Sequence, residues 1–326
     1  MSEGRNGGPA LETRAFGMDL TAGFEMPGFA GGGHAGDGRD LALSLATLAE
    51  VRRGFPKDAE RVGELRGEDG DLLVSVDAGG DAGYLVYAFD FGHARVAADG
   101  HEVLIARVED QPTWIWQRYL TGQVLPMAAL LQGHEVFHSS VVGLDGQAIG
   151  IVAPSGTGKT TLGLRLVLAG LDLVSDDVLV VEPHEGGLLA HPGIGLANVR
   201  PGAGELLPEL ERAGLARPIG SNERETRIAI PRPERPLPLG ALFILNRFTD
   251  GRALEIAPLS PVDPRMLLAS TFNLSVRTPD RLTRQLDVCS RLARAAPVYR
   301  VTCGTRVTPG QVADAILERA RDPLPC

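Results

Sequence analysis

The segment around residue 156 constrains the fold of this chain more than any other. An apolar strand (149–152) runs into a glycine-rich turn, Ala153-Pro-Ser-Gly-Thr-Gly-Lys-Thr-Thr161, and a helix-forming stretch follows until Gly170. The turn fits the pattern G-x-x-x-x-G-K-[ST], with alanine at the first glycine. In this context glycines let backbone N–H groups surround phosphate oxygens, and the next helix N-terminus favours anions. The predicted phosphate-binding residues are Ser155, Gly156, Thr157, Gly158, Lys159, Thr160 and Thr161.

Two adjacent carboxylates follow this unit. Asp176 and Asp177 end an apolar strand, and the helix between the two strands uses about ten residues, as a right-handed βαβ crossover requires. The second strand is expected beside the first, with its carboxyl end next to the loop. One acid can hold Mg²⁺, while the other can orient and deprotonate an acceptor hydroxyl. A solvated turn after a strand is the alternative interpretation.

A histidine precedes the loop. His138 lies in the run Val136–Val142, which a tight turn at Leu144-Asp145-Gly146 joins to the loop strand. A lone histidine on a strand is more often structural than catalytic. The turn nevertheless brings its strand beside the loop strand, where the ring can orient or tune a base. The sequence alone leaves several other residues unplaced: His134, His191, Arg200, Arg224, Arg227, Arg232 and Arg247.

Together, the histidine, the loop and the acid pair resemble the catalytic domain of HPr kinase/phosphorylase. That family has a histidine on a strand, a loop of the form G-x-S-G-x-G-K-S, a helix and an apolar strand that ends in Asp-Asp. The resemblance covers about forty residues collinearly and extends more weakly from Gly122 to the C-terminal pattern near Ile316. With this extension the chain looks like the stand-alone HPr-kinase-like proteins of bacterial peptide-modification clusters, such as lasso-peptide precursor kinases.

The resemblance implies a role for each matched residue. Lys159 would bind the phosphates of ATP, and Thr160 with Asp177 would hold Mg²⁺. Asp176 would be the general base and His138 would support it, although the division of labour between the two acids stays open. The Glu-x-Arg-Gly signature of the bifunctional enzymes has no match at 193–201, and their regulatory domain is not recognisable in 1–120. Both departures argue against HPr as substrate and against phosphorolysis.

Changes in composition and residue patterning along the chain predict its domain organisation. We predict a flexible glycine-rich arm (1–40), a small β-rich domain (41–122) and an α/β phosphate-loop kinase domain of the HPr kinase/phosphoenolpyruvate carboxykinase type (123–326). Residues 41–53 have helical spacing, and Asp69-Gly70 and Asp99-Gly100 indicate hairpin turns.

Charge and apolar patterning narrow the function classes. The net charge of −9 argues against a protein that coats nucleic acid or an anionic membrane. No apolar run is long enough to span a bilayer, and the first residues lack a secretory core, so a cytoplasmic location is expected.

These observations predict an ATP- and Mg²⁺-dependent kinase that phosphorylates a hydroxyl, with serine of a protein or peptide as the favoured acceptor. A small-molecule kinase with the same site and a non-catalytic ATP sensor are the alternatives. The second acid argues against the sensor, because a switch needs only one. The resemblance allows a homo-oligomer, and the acceptor and the use of pyrophosphate stay open.

Overall fold

The computed structural model describes residues 11–29, 36–203, 205–272 and 275–322. These divide into two units, one of 11–134 with 275–281 and the other of 135–272 with 282–322. The chain is therefore mixed α/β, with several sheets. The limits of the first unit differ from the predicted β-rich domain 41–122, because it begins earlier and ends later.

An eight-stranded sheet forms the first unit, in the order β1-β2-β3-β8-β7-β6-β5-β4. Strands β4 to β8 are antiparallel neighbours, whereas β3 pairs in parallel with both β2 and β8. The predicted hairpin turns at Asp69-Gly70 and Asp99-Gly100 are confirmed between β4 and β5 and between β7 and β8. The strands are β1 (Leu11–Ala15), β2 (Met18–Ala22), β3 (Asp40–Leu45), β4 (Glu60–Arg66), β5 (Leu72–Ala78), β6 (Tyr84–Ala88), β7 (Gly92–Val96) and β8 (Glu102–Arg107).

Two expectations for the N-terminal part are wrong. Residues 11–22 form β1 and β2, whose Met18 and Leu20 are buried, so they are not part of a flexible arm. Residues 1–10 and 30–35 lie outside the described residues. Residues 40–45 form β3 because Leu41 and Leu43 alternate with exposed neighbours and bury one face, which overrides the helical spacing.

Three α-helices lie entirely within the described part of the first unit. The short α1 (Leu48–Val51) starts at a capping box, in which Thr47 Oγ1 accepts from Glu50 N and the Glu50 carboxylate accepts from Thr47 N. Helices α2 (Thr113–Tyr119) and α3 (Leu125–Leu131) join through a π-helical turn. Just after α3, Gln132 Nε2 donates to Asp40 O and Gly100 O, which fixes the helix end to this sheet.

A larger mixed sheet forms the centre of the second unit. Its order is β12-β10-β11-β18-β14-β13-β9, with β20 between β18 and β19. The strands are β9 (Glu135–Phe137), β10 (Ser139–Leu144), β11 (Gln147–Val152), β12 (Asp172–Ser175), β13 (Leu179–His184), β14 (Gly187–His191), β18 (Leu237–Arg247), β19 (Glu255–Pro258) and β20 (Val298–Cys303). A separate sheet, in the order β15-β17-β16, contains β15 (Leu196–Val199), β16 (Arg217–Ser221) and β17 (Thr226–Ala229).

The order of three strands positions the candidate site. β10 and β11 form the predicted antiparallel hairpin, and β11 pairs in parallel with β18 on its other side. The strand that leads into the two acids, β12, pairs with the free edge of β10. It does not lie directly beside β11, as the sequence had predicted. Since β10 is antiparallel to both, β11 and β12 still run in the same direction. The β10–β12 register shifts between Val141 and Val142, where β12 carries one extra residue.

Helices cover both faces of this sheet. Alternate residues of β11 point to opposite cores: Ile149 and Ile151 belong to one cluster, and Ala148 and Val152 to the other. The helices are α4 (Lys159–Leu168), α5 (Leu206–Arg212), α6 (Pro264–Leu268), α7 (Pro279–Ala295, of which 282–295 belong to this unit) and α8 (Pro309–Arg321). Across the described residues, no helix is both long enough and apolar enough to traverse a lipid bilayer.

Candidate functional site

The glycine-rich loop has the backbone conformation that its glycines permit. Gly156 and Gly158 have φ values of 79° and 103°, and α4 begins directly afterwards at Lys159. Thr157 closes the turn, because its N–H and its hydroxyl both donate to Pro154 O, at 3.3 and 2.8 Å. Residues with a Cβ are strained at such φ values, so both glycines are needed for this shape. The loop thus forms an exposed turn at the N-terminus of a ten-residue helix.

Lys159 crosses beneath this loop. Only 5% of its surface is exposed, and Nζ donates to Ala153 O at 2.7 Å and to Pro154 O at 3.3 Å. Burial lowers the pKa of Lys159, while the charges of Asp177 and Asp176 partly oppose this. The ammonium group therefore links two carbonyls of the loop. A phosphate bound in the loop would compete with these carbonyls for its N–H donors.

Asp176 meets the first turn of α4. Thr160 Oγ1 donates to Asp176 Oδ2 at 2.9 Å, and Asp176 Oδ1 is buried with no hydrogen-bond partner among the described residues. The sequence analysis grouped Thr160 with Asp177 at a magnesium ion, whereas the hydroxyl bonds directly to Asp176 in the structure. Burial raises the pKa of Asp176 to about 7, the charge of Asp177 adds to this, and the Thr160 hydroxyl works against it.

His138 lies at the other side of the acid pair. Its Nδ1 is 2.8 Å from the backbone oxygen of Asp177. Because a carbonyl only accepts, Nδ1 is the donor of this bond. The backbone N–H of His138 donates to Ser270 O, and its ring stacks on that of Phe272 with 5.7 Å between the centroids. Asp177 has φ of 64°, an uncommon value for a non-glycine residue, so the histidine fixes a strained turn.

Ser140 is a site residue that the sequence reasoning missed. It is fully buried on β10, and its hydroxyl is among the groups that counteract the rise in the pKa of Asp176. A Cβ at Gly163 of α4 would overlap Ser140 Oγ, so the glycine makes room for this hydroxyl. The signal was available as a glycine inside the helix that follows the loop, where glycine is unfavourable without a packing reason.

Among the unplaced arginines, the structure brings Arg200 to the loop. Its Nη1 is 3.8 Å from the position that a Cβ on Gly156 would take, and its charge contributes to the lowered pKa of Lys159, after burial. The other residues bond elsewhere: Arg227 Nη1 donates to Asn198 Oδ1, Arg247 Nη2 donates to Val307 O, and His191 Nε2 is 3.2 Å from Glu182 Oε1. Arg200 is therefore placed to meet an anion bound at the loop.

Comparison with known proteins gives a structural likeness but no match in sequence. No protein-family model and no curated protein matches the chain. Among solved structures, it is similar to the HPr(Ser) kinase/phosphatase from Coxiella burnetii, with 15% sequence identity and a TM-score of 0.28 over 56% of this chain and 95% of that one. So distant a likeness does not carry a functional assignment, which depends instead on the loop, Lys159, Thr160 and the acid pair.

Proposed function

We propose that this protein is a phosphate-loop kinase of the HPr-kinase-like type. It transfers the γ-phosphoryl group of ATP to a hydroxyl, and serine of a protein or peptide is the favoured acceptor. One observation carries the proposal: the Thr160 hydroxyl, directly after the loop lysine, bonds to one acid of a pair whose other member is held by His138. A turn without a ligand needs neither the buried lysine nor the second acid.

The loop supplies the phosphate site. Its backbone N–H groups and the α4 N-terminus favour anionic oxygens, and Lys159 can exchange its bonds to Ala153 O and Pro154 O for bonds to phosphate. Arg200 adds a second positive charge at the mouth of the loop. These groups orient the nucleotide and neutralise charge that develops during transfer, which is the main catalytic requirement of phosphoryl transfer.

The oxygens of Thr160 and Asp176 fit a magnesium ion. Asp176 Oδ1 is a buried oxygen without a partner in the described residues, and hydroxyl and carboxylate oxygens are the donors that Mg²⁺ prefers. The raised pKa of Asp176 is also what burial and an adjacent carboxylate produce where no cation is present. Bound Mg²⁺ would supply charge neutralisation on the phosphates. We therefore assign Thr160 and Asp176 to the cation, which exchanges the two acid roles expected from the sequence.

Asp177 then serves the acceptor. Its carboxylate would take the proton of the acceptor hydroxyl as the oxygen bonds to phosphorus and the bond to ADP breaks. His138 positions this residue by binding its carbonyl, which keeps the strained turn in one conformation. Precise placement of an acceptor next to a base is worth several orders of magnitude in rate.

Three variants test these roles with γ-labelled ATP, Mg²⁺ and an extract of the host. Lys159→Ala should abolish labelling. Asp177→Asn should lower transfer at least 100-fold while Mg²⁺-dependent nucleotide binding persists, since general-base catalysis contributes about 10²–10⁴-fold. Asp176→Asn should weaken the Mg²⁺-dependent part of nucleotide binding itself. Asp172→Asn, an exposed acid at the start of the same strand, is the matched control and should behave like the unaltered protein.

The destination of the label separates the alternatives. Label on one polypeptide, only with the unaltered protein, identifies a protein or peptide kinase and its substrate. Label in a small molecule identifies a metabolite kinase with the same site. Nucleotide binding without any transfer would make the protein a sensor and refute the proposal. Near-normal transfer by Asp177→Asn, together with loss in Asp176→Asn at unchanged binding, would restore the acid roles predicted from the sequence.

A further inference from the structure

The first unit contains a pocket that the proposed kinase reaction does not use. It has a volume of about 280 Å³ and lies on one face of the eight-stranded sheet, over strands β4 to β7 and under the end of α1. This size approaches the lower end of small-ligand sites. The pocket belongs to the first unit and the phosphate loop to the second, so variants of each can be tested separately.

Two rows of cross-strand neighbours build its floor. Ser75, Tyr87 and His93 lie directly opposite one another on β5, β6 and β7. Two residues along, Arg61, Asp77 and Leu85 form the parallel row on β4, β5 and β6. Residues two apart on a strand share a face, so the rows present their side chains together. The pocket is thus part of the sheet itself rather than a gap between loops.

Arg52 covers one side. It follows α1, and Arg52 Nη2 donates to His93 Nε2 at 3.0 Å. The next residue is fixed to the same face, because Arg95 Nη1 donates to Arg53 O at 2.6 Å. As an acceptor, the His93 ring is neutral, and burial followed by the charge of Arg52 lowers its pKa accordingly.

Arg52 is a positively charged residue of the pocket that no acidic residue balances in the described part of the chain. Arg61 is paired with Asp77 and Glu64, whereas no carboxylate pairs with Arg52 among the described residues. The guanidinium has five N–H donors, and only one contact, to His93, occupies them in the described part of the chain. The pocket therefore offers one uncompensated positive charge with unused donors.

Ser75 supplies a second donor. It is only 3% exposed and lines the pocket, yet its hydroxyl has no hydrogen-bond partner among the described residues. Because this hydroxyl lines the open pocket, it can donate to a ligand bound there. Apolar lining comes from Leu72, Leu85 and the Tyr87 ring.

We propose that this pocket binds an organic monocarboxylate that carries a small apolar group. The carboxylate would be held by Arg52 and the Ser75 hydroxyl, and the apolar group would lie against Leu72 and Leu85. A single excess charge fits a carboxylate better than a phosphate group, whose two charges at neutral pH call for more than one cation. The carboxylate can belong to a free acid or to the end of a peptide.

Ligand-observed NMR on the full chain tests the proposal with matched probes. N-acetyl-leucine should bind, and its neutral analogue N-acetyl-leucinamide should bind at least tenfold more weakly, because a hydrogen bond to a charged group is worth about 1.5–3 kcal/mol. A tetrapeptide that ends in leucine, with a free or an amidated carboxyl group, distinguishes the sources: tighter binding of the free peptide than of N-acetyl-leucine identifies a peptide end, and equal binding a free acid.

Variants locate the binding. Arg52→Gln should weaken N-acetyl-leucine at least tenfold and Ser75→Ala about two- to tenfold, with unchanged circular dichroism. Arg265→Gln removes an exposed arginine paired with Asp263 on α6 and should change nothing. The proposal is overturned by equal binding of acid and amide, by tighter binding of inorganic phosphate, by undiminished binding to Arg52→Gln, or by no binding of any probe at 10 mM, about a hundredfold above a typical metabolite site.

Discussion

Substituting Gly163 by alanine tests whether α4 is shaped around the buried Ser140 hydroxyl. On an exposed helix this change stabilises by about 1 kcal/mol. Here the new Cβ would overlap Ser140 Oγ, and Ser140 is fully buried between β11 and β12, so its hydroxyl has little room to move. Overpacking of this kind costs about 1–3 kcal/mol. Since the helix gain offsets part of this cost, we expect Gly163→Ala to lower the free energy of unfolding by up to about 2 kcal/mol.

The double variant isolates the cause. In Ser140→Ala the overlapping oxygen is gone, and the new Cβ would lie 3.4 Å from the Cβ at 140, which is an ordinary contact. Gly163→Ala should then be neutral or stabilising in that background, with a coupling energy of about 1–3 kcal/mol between the two sites. Urea unfolding followed by far-ultraviolet circular dichroism gives all four free energies. Additive effects, with coupling below about 0.5 kcal/mol, would refute the steric reasoning.

Three further outcomes follow from the same unit. The pKa of Asp176 is raised from 3.8 to about 7, so ionisation of this carboxyl group weakens the fold as pH rises through this range. Asp176→Asn should therefore stabilise the metal-free protein by about 1–3 kcal/mol at pH 8 and hardly at pH 4. Urea unfolding at both pH values measures the difference. Asp177→Gly should be about 1 kcal/mol more stable than Asp177→Ala in the same assay, because φ is 64° there, and equal stability would contradict the strained turn. Cys289 and Cys303 are fully buried, and burial raises the pKa of Cys289 to about 12, so iodoacetamide at pH 8 should label both in urea but neither in the folded protein, as mass spectrometry would show.

Local chemistry made part of this structure predictable. The strand, loop and helix at 147–168 follow from an apolar run, two glycines and a helix-forming segment, and the Asp-Gly pairs mark real hairpins. The turn at Leu144-Asp145-Gly146 likewise forms the expected hairpin between β10 and β11. These features depend on neighbouring residues alone, so a sequence displays them directly.

Non-local pairing was harder to predict. Residues 41–53 have helical spacing, and 48–51 do form α1, but burial of Leu41 and Leu43 against the sheet makes 40–45 a strand. The position of β12 depends on which edge of the β10–β11 hairpin is free, and β18 occupies the other edge. Arg200 reaches the loop from a distant part of the chain, so nothing near it in sequence distinguishes it from the other arginines.

The extra residue in β12 determines which acid meets the helix. Val142 pairs with Leu173 and Val141 with Ser175, which leaves Val174 without a partner on β10. Successive strand residues face opposite sides, so one added or removed residue reverses the parity of everything beyond it. In a regular ladder without this bulge Val141 would face Val174, so Ser175 would take the position that Asp176 now holds and Asp176 would turn to the other face. Two chemically identical neighbours thus acquire different roles because the bulge sets which face of the strand each one occupies. Residue types alone do not reveal this.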